Sequence, residues 1–215
     1  MTLKVNEIFY SIQGESTYAG QPCVFIRLTG CNLRCSYCDT TYAYDEGSFM
    51  ELTEIVEGVK KFECSLVEIT GGEPLLQDET TKLITVLLDL GFNVLLETNG
   101  SKDIGIVDRR CIKIMDIKCP SSKEEKNNKL ENLKKLNKGD ELKFVIEDRI
   151  DYEFAVGILS DIPEKTRVEI CVNFSPGFGS IAPRELAEWI LKDKLDVRLN
   201  LQLHKFIWPP DMRGV

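Results

Sequence analysis

The 215-residue chain is 43% hydrophobic and 29% charged, with a formal net charge of −8 and eight cysteines. These values fit one domain with a full core, and the acidic balance argues against a broad nucleic-acid surface. No apolar run could span a bilayer and the opening Met1–Glu7 has no apolar signal core, so a cytoplasmic protein is expected, away from membranes, with thiols reduced and used for packing or metal ligation.

Val5 to Tyr10 is apolar enough for a short opening strand. It runs into Ser11-Ile12-Gln13-Gly14-Glu15-Ser16. Gly14 permits close backbone approach, and Gln13 and Glu15 bring amide and carboxylate groups. On these residues alone a surface loop is the simpler reading. Cys23 to Thr29 is β-branched and aromatic, hence a strand. Arg27 interrupts its apolar run, either for solvent or to meet an anion such as a carboxylate.

That strand leads into Cys31-Asn32-Leu33-Arg34-Cys35-Ser36-Tyr37-Cys38, a C-x3-C-x2-C pattern. So short a loop can aim three thiolates at one soft metal centre, as iron–sulfur clusters require. Three ligands to four irons leave one iron open, which suits a catalytic cluster. Structural zinc wants four ligands, usually in two separated pairs. Here the fourth would have to come from Cys23 or His204, and neither has a paired spacing.

Thr53 to Phe62 reads as a helix capped by Thr53. Leu66 to Thr70 is a strand ending in Gly71-Gly72-Glu73-Pro74, where exposed backbone can meet a ligand. Asp78 to Leu90 is a helix stopped by Gly91, with Leu83, Leu87 and Leu90 as a core stripe. Phe92–Glu97 and Ile112–Lys118 are strands whose C-terminal ends carry Thr98-Asn99-Gly100 and Pro120-Ser121-Ser122. The segment 123–143 is charge-rich and surface-facing, with Leu130, Leu133 and Leu136 marking a helix. Strands follow at Leu142–Ile146, Val168–Asn173 and Arg198–His204, with helices at Asp151–Ser160 and Pro183–Lys192. Alternating strands and helices imply an α/β fold: one domain over 1–215, a mainly parallel sheet and right-handed crossovers. The strands are too few for a closed eightfold barrel. An open partial βα barrel is expected, with the cysteine loop, Gly71-Gly72, Glu97 and Asp116 at the C-terminal strand ends.

The cysteine pattern, with aromatic Tyr37 before the last cysteine, resembles the radical S-adenosylmethionine superfamily, and Gly-Gly-Glu-Pro matches a second motif of that group. Within it, Glu7-Ile8-Phe9, Ser11-Ile12-Gln13-Gly14-Glu15, Phe25-Ile26-Arg27-Leu28, Cys38-Asp39-Thr40-Thr41-Tyr42-Ala43, Glu97-Thr98-Asn99-Gly100 and Gln202-Leu203-His204-Lys205 resemble the 7-carboxy-7-deazaguanine synthase family, to the terminal Arg213-Gly214-Val215. Departures are Ser16, where that family usually has glycine, and Asp116-Ile117-Lys118, where many members have Ser-Pro-Lys.

The resemblance implies a lyase of queuosine biosynthesis. It would convert 6-carboxy-5,6,7,8-tetrahydropterin to 7-carboxy-7-deazaguanine with loss of ammonia, by radical ring contraction. It implies a [4Fe-4S] cluster on Cys31, Cys35 and Cys38, and S-adenosylmethionine against Tyr37, Cys38, Asp39, Gly72, Asp116, Ile117, Lys118 and Asn173. Mg²⁺ would sit on Thr40, and the pterin against Ile12, Gln13, Gly14, Arg27, Thr70 and Val215. For His204, the chain's single histidine, packing and a substrate role stand equal. A one-electron donor such as flavodoxin or ferredoxin and a homodimer are also implied. A glycyl-radical-enzyme activase shares the cysteine motif but not the Gln13 and Thr40 blocks. A zinc-binding adaptor leaves Gly-Gly-Glu-Pro unexplained.

Overall fold

The computed structural model describes residues 1–215. Strand β1 (Thr2–Ile12) pairs antiparallel with β2 (Pro22–Leu28) and, on its other edge, with β3 (Ser48–Glu51). From β2 the sheet continues in parallel through β4 (Leu66–Gly71), β5 (Asn93–Thr98), β6 (Ile112–Ile117), β7 (Glu141–Ile146), β8 (Cys171–Pro176) and the two-residue β9 (Arg198–Leu199). One nine-stranded sheet results, in the order β3-β1-β2-β4-β5-β6-β7-β8-β9. Its two ends do not pair, so the sheet is an open partial barrel.

The alternation of strand side chains divides the sheet into two unlike faces. Val67 and Ile69, Val94 and Leu96, Met115 and Ile117, Leu142 and Phe144, and Val172 and Phe174 all point outward into a 37-residue core. Helices α1 (Leu52–Lys60), α2 (Thr80–Asp89), α3 (Arg149–Asp161) and α5 (Pro183–Asp193) close that core with Ile55, Leu83, Ile158 and Leu186 among others. The inner face begins with a six-residue apolar layer of Phe9, Cys23, Phe25, Leu66, Leu95 and Ile114. Above it, toward the C-terminal strand ends, the inward residues turn polar: Arg27, Glu68, Thr70, Glu97, Asp116 and Lys143 all line one cavity.

Several expected elements differ. The cap of α1 is Glu51, whose backbone N–H donates to Glu54 Oε2 at 2.8 Å, rather than Thr53. The leucines at 130, 133 and 136 form no α-helix. A 3-10 helix spans Leu130–Lys135, and the spacing of three is the period of that tighter turn. The β5–β6 and β6–β7 connections carry only 3-10 turns, so strand–helix alternation lapses there. Val168 is 79% exposed and follows the short helix α4 (Glu164–Arg167), so the strand expected from it begins at Cys171. The last expected strand shrinks to β9, and His204–Ile207 forms the helical turn α6.

Candidate active site

The cysteine loop leaves β2 through Gly30, whose φ of +101° a side chain would resist. It is held from three sides. Gly30 N–H donates to Ala43 O at 2.8 Å, and Gly30 O accepts from Glu73 N–H at 2.8 Å. Ser36 N–H donates to Ser122 O at 3.1 Å, and Arg34 N–H to Glu124 Oε1 at 2.6 Å. Gly72 lies hard against this loop. A Cβ there would fall 2.2 Å from Gly30 O and 2.8 Å from Cys31 Cβ. In Gly71-Gly72-Glu73-Pro74, therefore, the glycines set the approach of β4 to the cysteine loop. Glu73 does separate work. Fully buried, it accepts from Leu75 N–H, Asn99 N–H and the Thr98 hydroxyl at 2.7–2.9 Å, stapling the ends of β4 and β5.

Cys31, Cys35 and Cys38 are free, half-buried thiols, and they are the cysteines that line the cavity. Burial pushes the Cys35 thiol up to about 11, with the Lys118 ammonium opposing it. A soft cation must displace that proton for thiolate ligation. Three thiols without a fourth ligand fit a [4Fe-4S] cluster with one open iron and leave a structural zinc site incomplete. Beside them Lys118 Nζ meets Asp116 Oδ2 at 2.8 Å, while Asp116 Oδ1 and the Tyr37 hydroxyl are buried without partners. Unpaired polar atoms in such a place fit a polar ligand. Thr40 also lines the cavity, its hydroxyl 3.8 Å from Cys38 Sγ.

Across the cavity, Arg27 Nε donates to Glu7 Oε1 at 2.7 Å, and its guanidinium lies over Phe9 and Tyr42. This aromatic and carboxylate clamp fixes the cation on an inner wall, so Arg27 is not a solvent-facing residue. Lys143 bridges Glu15 and Glu97, the latter at 2.9 Å, and Thr70 Oγ1 donates to Glu97 Oε2 at 3.2 Å. Gln13 Nε2 donates to Glu68, and Gln13 Oε1 accepts from Glu15 N–H at 3.0 Å. Gly14 packs on His204: a Cβ at 14 would lie 2.1 Å from His204 Nδ1. His204 itself faces the cavity, and burial lowers its pKa, with Glu15 opposing. The C-terminal tail returns over the mouth, with Arg213 stacked 3.8 Å over Tyr42 and Val215 on the lining.

The fold thus brings Ile12, Gln13, Gly14, Arg27, Tyr37, Asp39, Thr40, Thr70, Gly72, Asp116, Lys118 and Val215 to one cavity of about 300 Å³ with the three cysteines. Two expected residues stand apart. Ile117 points its side chain into the outer core. Asn173 lies outside the lining, and its amide is engaged by Glu141 Oε2 at 2.6 Å. Sequence reasoning left Glu68 unassigned and placed Lys143 in the surface-facing segment 123–143, whereas Lys143 is buried on the cavity wall. Their signal was present: a charge at an inward position of an otherwise apolar strand, in Leu66-Val67-Glu68-Ile69 and Leu142-Lys143-Phe144. Gln202, whose amide holds Glu15 at 2.9 Å, belongs with them.

Three comparisons bear on this arrangement. Residues 25–118 match the Radical SAM superfamily model. The 7-carboxy-7-deazaguanine synthase of Koribacter versatilis is 45% identical over 227 residues, covering 99% of this chain and 100% of that protein. The one from Chlorobaculum tepidum is 47% identical over 216 residues, covering 99% and 97%. Among solved structures, QueE from Escherichia coli superposes with a TM-score of 0.80 over 95% of each chain at 22% identity, a likeness of fold.

Proposed function

Because the chain belongs to the 7-carboxy-7-deazaguanine synthase family of radical S-adenosylmethionine enzymes, we propose that its cavity performs that family's reaction, the ring contraction of 6-carboxy-5,6,7,8-tetrahydropterin to 7-carboxy-7-deazaguanine with loss of ammonia. The observation that carries the reading is one cavity with two unlike walls: three free thiols on one side, and the Arg27, Gln13, Thr70 and Glu97 groups on the other. Nothing favours the glycyl-radical activase alternative.

Cys31, Cys35 and Cys38 would hold the cluster, and Gly72, Tyr37, Asp39, Asp116 and Lys118 the S-adenosylmethionine. When bound, these two groups supply the radical that starts the ring contraction. The chain's residues then orient and enclose. Arg27 is pre-set by Glu7 and two rings to receive the substrate carboxylate, at little ordering cost. The Ile12–Gly14 backbone, Thr70 and Glu97 present acceptors and donors to the pterin edge. The tail at Val215 covers the mouth and limits water, which protects a reactive intermediate from side reactions. Thr40 would offer Mg²⁺ a hard oxygen donor, and the ion would supply positive charge for the substrate carboxylate. The finer parts of the reading rest on the family resemblance: residues 1–215 as one domain, a flavodoxin or ferredoxin as electron donor, a homodimer, and residence in the cytoplasm. No helix is long and apolar enough to cross a membrane.

Anaerobic reconstitution with iron and sulfide, reduction by dithionite, and addition of S-adenosylmethionine with the carboxypterin tests the proposal. Formation of 7-carboxy-7-deazaguanine, followed by mass spectrometry, is expected. A reconstituted protein that cleaves S-adenosylmethionine yet leaves the pterin intact would overturn the substrate assignment.

A further inference from the structure

Glu68 is the least expected group in the cavity wall. It sits mid-strand in β4, between Val67 and Ile69 of the outer core, and is 3% exposed. Its neighbours along the sheet are apolar: Phe25 on β2 and Leu95 on β5. A carboxylate in such a place ordinarily needs a cation. The nearby ammonium, Lys143, is already committed to Glu15 and Glu97. Arg27 is committed to Glu7. The polar partner left to Glu68 is the side-chain amide of Gln13.

That single bond has a consequence for the loop above it. An amide can be turned two ways. An acceptor beneath Gln13 demands Nε2, and so directs Oε1 upward, where it accepts the Glu15 N–H at 3.0 Å. The Gln13 backbone is tied to the turn below it, through Gln13 N–H to Gln21 O and Gly20 N–H to Gln13 O, both 2.8 Å. Glu15, fixed in this way, receives Gln202 and Lys143. Gly14 O receives Leu203 N–H at 2.9 Å, which seats His204. One side chain on β4 thereby helps to set a loop that also meets the turn at Gly20-Gln21, Lys143 and the far end of the chain at Gln202 and Leu203.

We infer that Glu68 is a positioning residue: it fixes the orientation of the Gln13 amide and, through it, the Gln13-Gly14-Glu15 loop that receives the pterin. The pterin part of this inference rests on the function proposed above, whereas the loop part does not. The groups facing Glu68 are Glu15, Glu97, Lys143 and Arg27. Burial first, and then the Glu97 and Glu15 carboxylates, push its pKa well above the ordinary carboxylate value. What Gln13 Nε2 requires of Glu68 is an acceptor oxygen, so the amide of glutamine, which keeps one, should replace it.

Glu68→Gln keeps a neutral carbonyl acceptor of the same length, whereas Glu68→Val removes it and suits an apolar strand. In the reconstituted holoenzyme, Glu68→Val should raise the carboxypterin KM at least tenfold, with kcat changed much less and S-adenosylmethionine affinity unchanged. Glu68→Gln should stay within about twofold of wild type. Hydrogen exchange at the Glu15 amide gives a readout independent of the reaction: protection should fall in Glu68→Val and persist in Glu68→Gln. Gln13→Leu should match Glu68→Val, and the double variant should be no worse than either single one. A Glu68→Val enzyme with wild-type KM and wild-type Glu15 protection would overturn the inference. A Glu68→Gln enzyme as impaired as Glu68→Val would overturn the acceptor role. Should Glu68→Val fail to fold, Glu68→Met, which removes the acceptor at similar length, carries the same test. If the wild-type protein makes no deazaguanine, the functional reading fails and the exchange data still decide the role of Glu68.

Discussion

The two faces of the parallel sheet are built from the same strands in alternate residues, yet they answer to different constraints. Outward positions are apolar almost without exception and bury against helices. Inward positions of β2, β4, β5 and β6 change along the strand, from an apolar floor of Phe25, Leu66, Leu95 and Ile114 to Arg27, Thr70, Glu97 and Asp116 toward the C-terminal ends. Parallel strands covered on both faces are commonly apolar throughout. Here the inner face gives up that burial to line a cavity, and its charges are stabilised by each other: Lys143 with Glu15 and Glu97, Arg27 with Glu7, Lys118 with Asp116. The outer face should therefore govern stability with little direct effect on chemistry, and the inner face the reverse.

The sharpest separation is expected at the cysteine loop. Cys35→Ala should lower iron content and bring turnover below detection, while the melting temperature of the metal-free protein shifts by only a few degrees. Cys35 is half-buried, outside the apolar clusters, so its loss removes a ligand and not a packed side chain. Iron content and turnover like wild type would sink the cluster assignment.

The opposite corner is Phe144, fully buried on the outer face of β7 with its ring edge-on to Phe174 at 5.5 Å. Phe144→Ala should cost about 3–5 kcal/mol of stability, read by denaturant unfolding. Its neighbour in sequence, Lys143, faces the cavity, so the comparison is made one residue apart. If Phe144→Ala loses no stability but shifts the pterin KM, the division between faces is wrong.

Arg27→Ala tests the inner face directly. A charge-assisted bond to a carboxylate contributes roughly 1.5–3 kcal/mol, which corresponds to about a 10- to 150-fold rise in pterin KM. S-adenosylmethionine binding should hardly change. An unchanged pterin KM would reduce Arg27 to a structural partner of Glu7, a role the 2.7 Å bond already gives it.

The same contrast explains what could be read without coordinates. Outer-face packing follows a simple rule of period, so β4, β5, β6 and β7 and helices α2 and α5 were legible to within a few residues. The misreadings lie where spacing is degenerate. Leucines three apart at 130, 133 and 136 suit an α-helix or a 3-10 helix, and the shorter form won where burial of Leu133 and Leu136 was all that was required. Leu199, Leu201 and Leu203 alternate like a strand, but β9 is an edge with one neighbour, and the chain turns inward after Leu199 to seat His204 on Gly14. In the site, motif residues were legible because short loops carry them. Glu68 and Lys143 were not, since a lone charge in an apolar strand shows which face it takes only after the strand's neighbours are known. Asn173 illustrates the converse: it is a polar inward residue in register with the cavity-lining Lys143, yet its amide is taken by Glu141 and it stays outside the lining.

The smallest effect is expected at Thr40, where the two readings differ in a single hydroxyl. Threonine after a turn often bonds the local backbone through that hydroxyl. Here the backbone bond is made otherwise: Thr40 O, the carbonyl, accepts from Ala43 N–H at 2.9 Å, and the side chain makes no capping bond to the 3-10 turn Thr41–Tyr44. Thr40 lines the cavity, and the one hydrogen-bond contact of its hydroxyl is to Cys38 Sγ, at 3.8 Å. A hard oxygen donor set two residues beyond the last cysteine suits Mg²⁺ and does not suit iron–sulfur ligation. Thr40→Ala should therefore leave cluster absorbance and melting temperature as they are and move the magnesium requirement of turnover several-fold upward. Thr40→Ser, which keeps the hydroxyl, should restore it. A magnesium titration of Thr40→Ala that overlays the wild-type curve would remove Thr40 from the metal site and leave the carboxylate of the pterin to Arg27 alone.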